Sequence, residues 1–127
     1  MLNHKLSRKA QLFLLGALLG VAIFLLVYGT APLNVANDAF CRGGYIEKDI
    51  QQHYAGWLFY RSSAPGWPLG VTQAINAPQG VSVAYTDSIP LLAVLCRPLA
   101  AALGGTFQYF GWFTLVCFAL QGGFAAL

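Results

Sequence analysis

Hydrophobic positions in this chain fall into two long blocks and one helical stripe. Residues 10–28 (AQLFLLGALLGVAIFLLVY) are uncharged and mostly apolar. At about 1.5 Å rise per residue, a helix there spans a bilayer core of roughly 30 Å. Residues 107–127 form a second uncharged block, opening with Phe107, Tyr109, Phe110, Trp112 and Phe113. That aromatic start suits an interfacial belt ahead of a second transmembrane helix.

Residues 29–106 are more polar. Their opening (GTAPLNVANDAF) reads as irregular. Ile46, Ile50, Tyr54, Trp57 and Leu58 then recur at three- and four-residue spacing, which predicts a helix over about residues 45–61. Gly43 and Gly44 punctuate its start. Asp49, Gln52, His53 and Tyr60 share the adjoining face. The pattern describes a helix lying in a membrane interface, with Trp and Tyr at headgroup level. SSAPGWPLG and NAPQG are turn-rich, and VSVAY is a short extended piece.

Residues 88–103 are apolar but carry Arg97 near the middle, next to Pro98. A charge at the centre of a span costs about 2.5–3.5 kcal/mol. The segment therefore predicts a second interfacial helix, with Arg97 snorkelling to headgroups. Asp87 or Ser88 is placed to cap it.

Composition sharpens the membrane reading. Only 9% of the 127 residues are charged and 57% are hydrophobic, against about 25% charged in soluble domains. Lys5, Arg8 and Lys9 precede the first block, which keeps residues 1–9 cytoplasmic. The net charge of +3 forms no basic stripe, so nucleic acid is not an expected partner. A cleaved signal peptide is the rival for residues 10–28, but the block is longer than a signal core and lacks a clean cleavage site. Cys41, Cys96 and Cys117 are widely separated and odd in number, and read as apolar residues or free thiols rather than a disulfide or zinc set. On this topology Cys41 reacts with impermeant thiol reagents from the far side. The chain stops within an apolar run, which reads as the front of a longer protein or a truncated reading frame. The expected class is an all-α membrane protein of the bacterial inner membrane. Two spans flank a large periplasmic loop with interfacial helices.

No nucleophile elbow, P-loop, dinucleotide fingerprint or HExxH helix is present. Asp49, His53 and Asp87 remain as candidate chemistry on the non-cytoplasmic side. Asp49 and His53 are four apart and point the same way on a helix. They are a base and its partner, two ligands of a divalent cation such as Mg or Mn, or a plain helix-surface hydrogen bond. Asp87 is a second acid or a helix cap. Trp57, Tyr60, Trp67 and Tyr85 read as interface anchors ahead of a sugar platform.

The order of anchor, outer loop with an acidic helix, apolar Pro-containing helix and second span resembles the N-terminal module of GT-C-type membrane glycosyltransferases. KDIQQHYAGWLFYR, PGWPLG, YTDSIPLL and FQYFGWFTLVCFALQG are similar to the start of a family of large bacterial inner-membrane proteins. That family usually carries Gly-Gly-Asp where this chain has GGYIEKD. Aligning the Asp with Asp49 leaves Tyr45 to Lys48 as a departure. The resemblance implies a polyprenyl-phosphate-sugar donor, with Asp49 as catalytic base and Asp87 as second candidate. It also implies a cation for the leaving lipid phosphate, for which Arg61 and Arg97 are candidates, with Gln52 and Trp57 as further substrate contacts. Two spans cannot enclose a donor groove and an acceptor site, so the module alone is expected to be inactive. The alternative is a non-enzymatic membrane subunit or scaffold whose outer loop binds a partner.

Overall fold

The computed structural model describes residues 7–43, 48–103 and 105–127. The Lys5 flank, Gly44, the helix start expected at residues 45–47 and Gly104 lie outside the described residues. Helix accounts for 65% of the described residues, which form five α-helices and one two-stranded sheet. The chain divides into two compact units, residues 1–34 with 110–127 and residues 35–109.

The first unit is built on α1 (Arg8–Tyr28) and α5 (Phe110–Ala125). The Ser7 hydroxyl caps α1 by accepting from the Ala10 amide at 3.3 Å. Gly29, at φ +70°, closes its other end by donating to the Leu25 carbonyl at 3.0 Å. Glycine adopts this left-handed conformation without a Cβ penalty. Of the described helices, only α1 is both long and apolar enough to cross a membrane. Its leucines stay largely uncovered, Leu26 at 86% exposure. α5 is apolar but has 16 residues, about 24 Å of helix.

The two helices run antiparallel. Phe13 meets Phe124 at 5.2 Å, and Phe24 and Tyr28 meet Phe118 at 5.9 and 6.0 Å. Close approach depends on Gly16 and Gly20. A Cβ at Gly16 would collide with the Gly122 carbonyl, and one at Gly20 with the Phe118 carbonyl. Small residues four apart are the usual means of bringing apolar helices together where no hydrophobic drive separates helix from lipid. Beyond α1, a 3₁₀ turn (Ala31–Leu33) packs its Pro32 on Gly111, and the Trp112 indole donates to the Leu33 carbonyl at 2.9 Å. The opening expected to be irregular thus carries this turn and α2 (Ala39–Arg42).

The second unit holds α2, α3 (Lys48–Ser62), an antiparallel hairpin of β1 (Val71–Thr72) and β2 (Val81–Ser82), and α4 (Pro90–Leu103). Val71 pairs with Ser82 and Thr72 with Val81. The expected extended piece therefore ends after two residues, and Val83–Tyr85 is a 3₁₀ turn. Asp38 ties α2 to α3: its carboxylate accepts from Arg42 Nε at 2.7 Å and from the Tyr54 hydroxyl at 2.8 Å.

The core of this unit departs from the interfacial reading of individual aromatic residues. Tyr54, Trp57 and Tyr60 are 3%, 0% and 1% exposed. The Trp57 indole donates to the Phe107 carbonyl at 2.9 Å and packs edge-on to Tyr109 and Phe107, at 5.0 and 6.2 Å. Phe107 and Tyr109, expected in a membrane belt, are buried here instead. The unit is short of large aliphatic residues in its interior, so aromatic rings fill it. Trp67 and Tyr85 remain exposed, at 87% and 85%.

Three further expectations are corrected. Arg97 does not snorkel outward: its guanidinium donates to the Ser63 carbonyl and lies 4.5 Å from the Tyr60 ring centre. Neither Asp87 nor Ser88 caps α4. The Ile89 carbonyl accepts the Ala93 amide at 3.0 Å, while Ser88 Oγ bonds back to Thr86. Cys41 is fully buried, its sulfur 4.0 Å from Gln108 Oε1, so it is shielded from an impermeant reagent. None of the three cysteines is in a disulfide. The unit's two ends are joined: Gln108 donates its amide to the Val35 carbonyl at 2.8 Å, and Thr106 its hydroxyl to the Ala36 carbonyl at 2.6 Å.

Candidate functional site

The candidate site forms on one face of α3, where a turn from a distant part of the sequence lies against the helix. Gly56 permits this contact. A Cβ there would collide with Ser88 Oγ and stand 2.6 Å from the Thr86 carbonyl oxygen. The turn is fixed from several sides. Thr86 Oγ1 donates to the Val83 carbonyl at 2.9 Å and shares a 2.8 Å bond with Ser88 Oγ. The Tyr109 hydroxyl donates to the Ser88 carbonyl. Asp87 and Ile89 adopt φ +55° and +54°. Aspartate tolerates the left-handed region, whereas a β-branched isoleucine there is an outlier that the surroundings must impose.

The result is that Asp87 reaches α3. The Gln52 amide donates to Asp87 Oδ2 at 3.1 Å. Asp49 is exposed one turn before Gln52 on the same helix, and His53 follows Gln52 directly. Asp87, 35 residues from Gln52 in sequence, is thereby tied to the helix that also carries Asp49 and His53.

The surface hydrogen bond considered for Asp49 and His53 is not formed. His53 is half-buried, and its Nδ1 is a buried polar atom with no partner. Such atoms are uncommon, because an unmet buried group costs about 1–3 kcal/mol. As a divalent-cation centre the set does not fit: the described residues contain no group of three or more His, Cys, Asp or Glu suited to a metal. A hard cation such as Mg wants an octahedron of oxygens, and Asp49 with His53 offers one carboxylate and one imidazole.

The arginines lie elsewhere. Arg61 Nη1 donates to the Phe107 carbonyl at 3.2 Å, with the guanidinium 5.8 Å from the Trp57 ring centre. Arg61 and Arg97 both line an open cleft of about 440 Å³ with Tyr60, Leu69 and Pro98. Asp49 and Arg61 are twelve residues apart on one continuous helix, about 18 Å along its axis. Neither arginine is thus assembled with the carboxylates. Trp57, a candidate substrate contact, is fully buried and serves the core.

Sequence reasoning passed over Asp38. Burial works to raise its carboxyl, but the hydrogen bonds from Tyr54 and Arg42 and the Arg42 charge outweigh it, and it lies below the usual carboxylate range. The Tyr54 phenol, raised first by burial and then by its bond to Asp38, is pushed up to about 12. The i,i+4 spacing of Asp38 and Arg42 is the one sequence signal of this pair, and it went unused.

No curated protein and no solved structure matches the chain. One family does, a domain of unknown function, DUF6311, whose profile covers residues 17–127. That span takes in α2 to α5 and all but the first turns of α1, with every candidate residue inside it, and the chain belongs to this DUF6311 family.

Proposed function

We propose that this chain is the membrane-anchored front module of a larger, multi-spanning glycosyltransferase of the GT-C type. In this reading α1 and α5 both sit in the bacterial inner membrane, residues 35–109 face the periplasm, and the N-terminus is cytoplasmic. The carrying observation is the Gln52–Asp87 bond, which ties a second carboxylate to the helix that carries Asp49 and His53. A lipid-linked donor keeps its tail in the bilayer and projects its phosphate-sugar head outward. A base for the acceptor hydroxyl then belongs on an outer unit tethered directly to a spanning helix, within hydrogen-bond reach of that hydroxyl. Asp49 is exposed and takes that role, and Asp87 is the second acid, oriented by Gln52. The leaving phosphate is balanced by a cation from further loops of the larger protein, since Arg61 lies about 18 Å down the helix from Asp49 and Arg97 is engaged with the Ser63 carbonyl.

The test is Asp49→Ala and Asp87→Ala in the full-length protein, assayed for transfer from a polyprenyl-phosphate sugar. Loss of at least about 100-fold in turnover for Asp49→Ala is the expected scale for a general base. Wild-type turnover in both variants would leave the non-enzymatic subunit reading in its place.

A further inference from the structure

Every exposed residue on α4 is apolar. Leu91, Leu95 and Leu99, spaced four apart on one stripe, are 71%, 60% and 54% exposed. Pro98 and Ala102 lie between and beside them on the same surface. The opposite side of the helix, with Ala93 and Ala100, is buried in the unit's own core. The helix's one charged residue is withdrawn from the stripe. Arg97 bonds to the Ser63 carbonyl and rests on the Tyr60 ring. Leu69 shares the Arg97 cleft with Pro98 and is 66% exposed.

We infer that this stripe docks on the lipid surface, with Leu91, Leu95 and Leu99 entering the upper acyl region. The inference rests on the membrane reading of α1. It identifies lipid as the occupant for three reasons. First, residue 35 follows the last residue of α1 by seven positions, so the connection reaches at most roughly 25 Å. A bilayer holding α1 is therefore always within reach of the second unit. Second, α4 has 14 residues, about 21 Å, and unlike α5 it carries a charge, Arg97, which a span would bury in a core of roughly 30 Å; lying along the surface avoids both. Third, the face offers only hydrocarbon. Protein interfaces centre on aromatic and arginine anchors with a polar rim, and here the arginine has been turned inward.

The experiment uses the whole chain in phosphatidylethanolamine–phosphatidylglycerol vesicles, with Cys96→Ala and Cys117→Ala and the buried Cys41 retained. Spin labels are placed singly at Leu91→Cys, Leu95→Cys, Leu18→Cys on α1 and Tyr85→Cys. Collision with oxygen is compared with collision with a water-soluble nickel complex. The inference expects Leu91→Cys and Leu95→Cys to lose nickel access and gain oxygen access, at shallower depth than Leu18→Cys, while Tyr85→Cys keeps nickel access. Nickel access at Leu95→Cys equal to that at Tyr85→Cys overturns it, because the stripe then faces water. Shielding from both reagents overturns it in favour of a protein cover. Nickel access at Leu18→Cys overturns the membrane reading of α1 itself. All four sites are exposed in the fold, so labelling leaves the core untouched; matching circular dichroism spectra verify this.

Discussion

Asp38 and Tyr54 make the stability of the second unit depend on pH at opposite ends of the scale. The Asp38 carboxyl lies below its ordinary value of 3.8 in the fold. Its contribution is complete above that value and is lost as pH falls through the lower folded one. Asp38→Asn should therefore flatten the acid limb of a stability profile while also lowering the plateau, read by denaturant midpoints at successive pH. Tyr54 is raised from 10.0 to about 12, so its contribution is complete below pH 10 and fades between 10 and about 12. Tyr54→Phe should remove that part of the alkaline loss. The exposed Asp38–Arg42 pair itself adds little, since Arg42 is 64% exposed. At the same scale, the full burial of Cys41 predicts silence toward an impermeant maleimide in intact cells, whereas Tyr85→Cys reacts.

Among the elements, the contact of α3 with the Thr86–Ser88 turn is the most exposed to a single change. Gly56→Ala gains about 1 kcal/mol of helix propensity, yet its methyl meets Thr86 and Ser88 atoms that cannot step aside. Overpacking of this kind costs typically 1–3 kcal/mol. The substitution should lower the unfolding midpoint and detach Asp87 from Gln52 while α3 stays helical, which circular dichroism and a Gln52–Asp87 double-mutant cycle would read. In the first unit, Gly20→Leu should push α1 and α5 apart, measurable as lost cross-linking between cysteines placed at Phe13 and Phe124.

The longer helices were legible in the sequence, whereas α2 falls in a stretch that reads as irregular. α1 and α4 follow from their apolar runs, and α3 from the three- and four-residue spacing of Ile50, Tyr54, Trp57 and Leu58. What periodicity could not supply is which surface covers each apolar face. A buried Trp57 and a headgroup Trp57 have the same sequence pattern. The difference lies in Phe107 and Tyr109, fifty residues on, whose rings fold over it. Arg97 was unreadable for the same reason, because its acceptor is a carbonyl 34 residues away. Asp49, His53 and Asp87 were legible as candidates; that Gln52 ties Asp87 to α3 depends on a left-handed turn that no local propensity announces.

For the molecule as a whole, the consequential fact is that one unit is inserted within the other in sequence. Residues 35–109 interrupt the segment that supplies α1 and α5. Gly20 meets Phe118 and Ala119, whereas Gly56 meets Thr86 and Ser88; with no neighbour in common, Gly20→Leu and Gly56→Ala should add in a double variant.

The paired ends of the inserted unit carry a consequence for how it can be handled. Val35 with Gln108, and Ala36 with Thr106, close the segment on itself. A polypeptide whose two ends already meet is a cassette: it can be grafted into a surface loop of a carrier protein, or sealed head to tail, without stretching. Circularised through a short glycine linker and held in mild detergent, residues 35–109 should keep the rigid near-ultraviolet signal of the buried Trp57. Sealing the ring should also resist denaturant better than the same segment left open, because loop closure removes entropy from the unfolded chain alone.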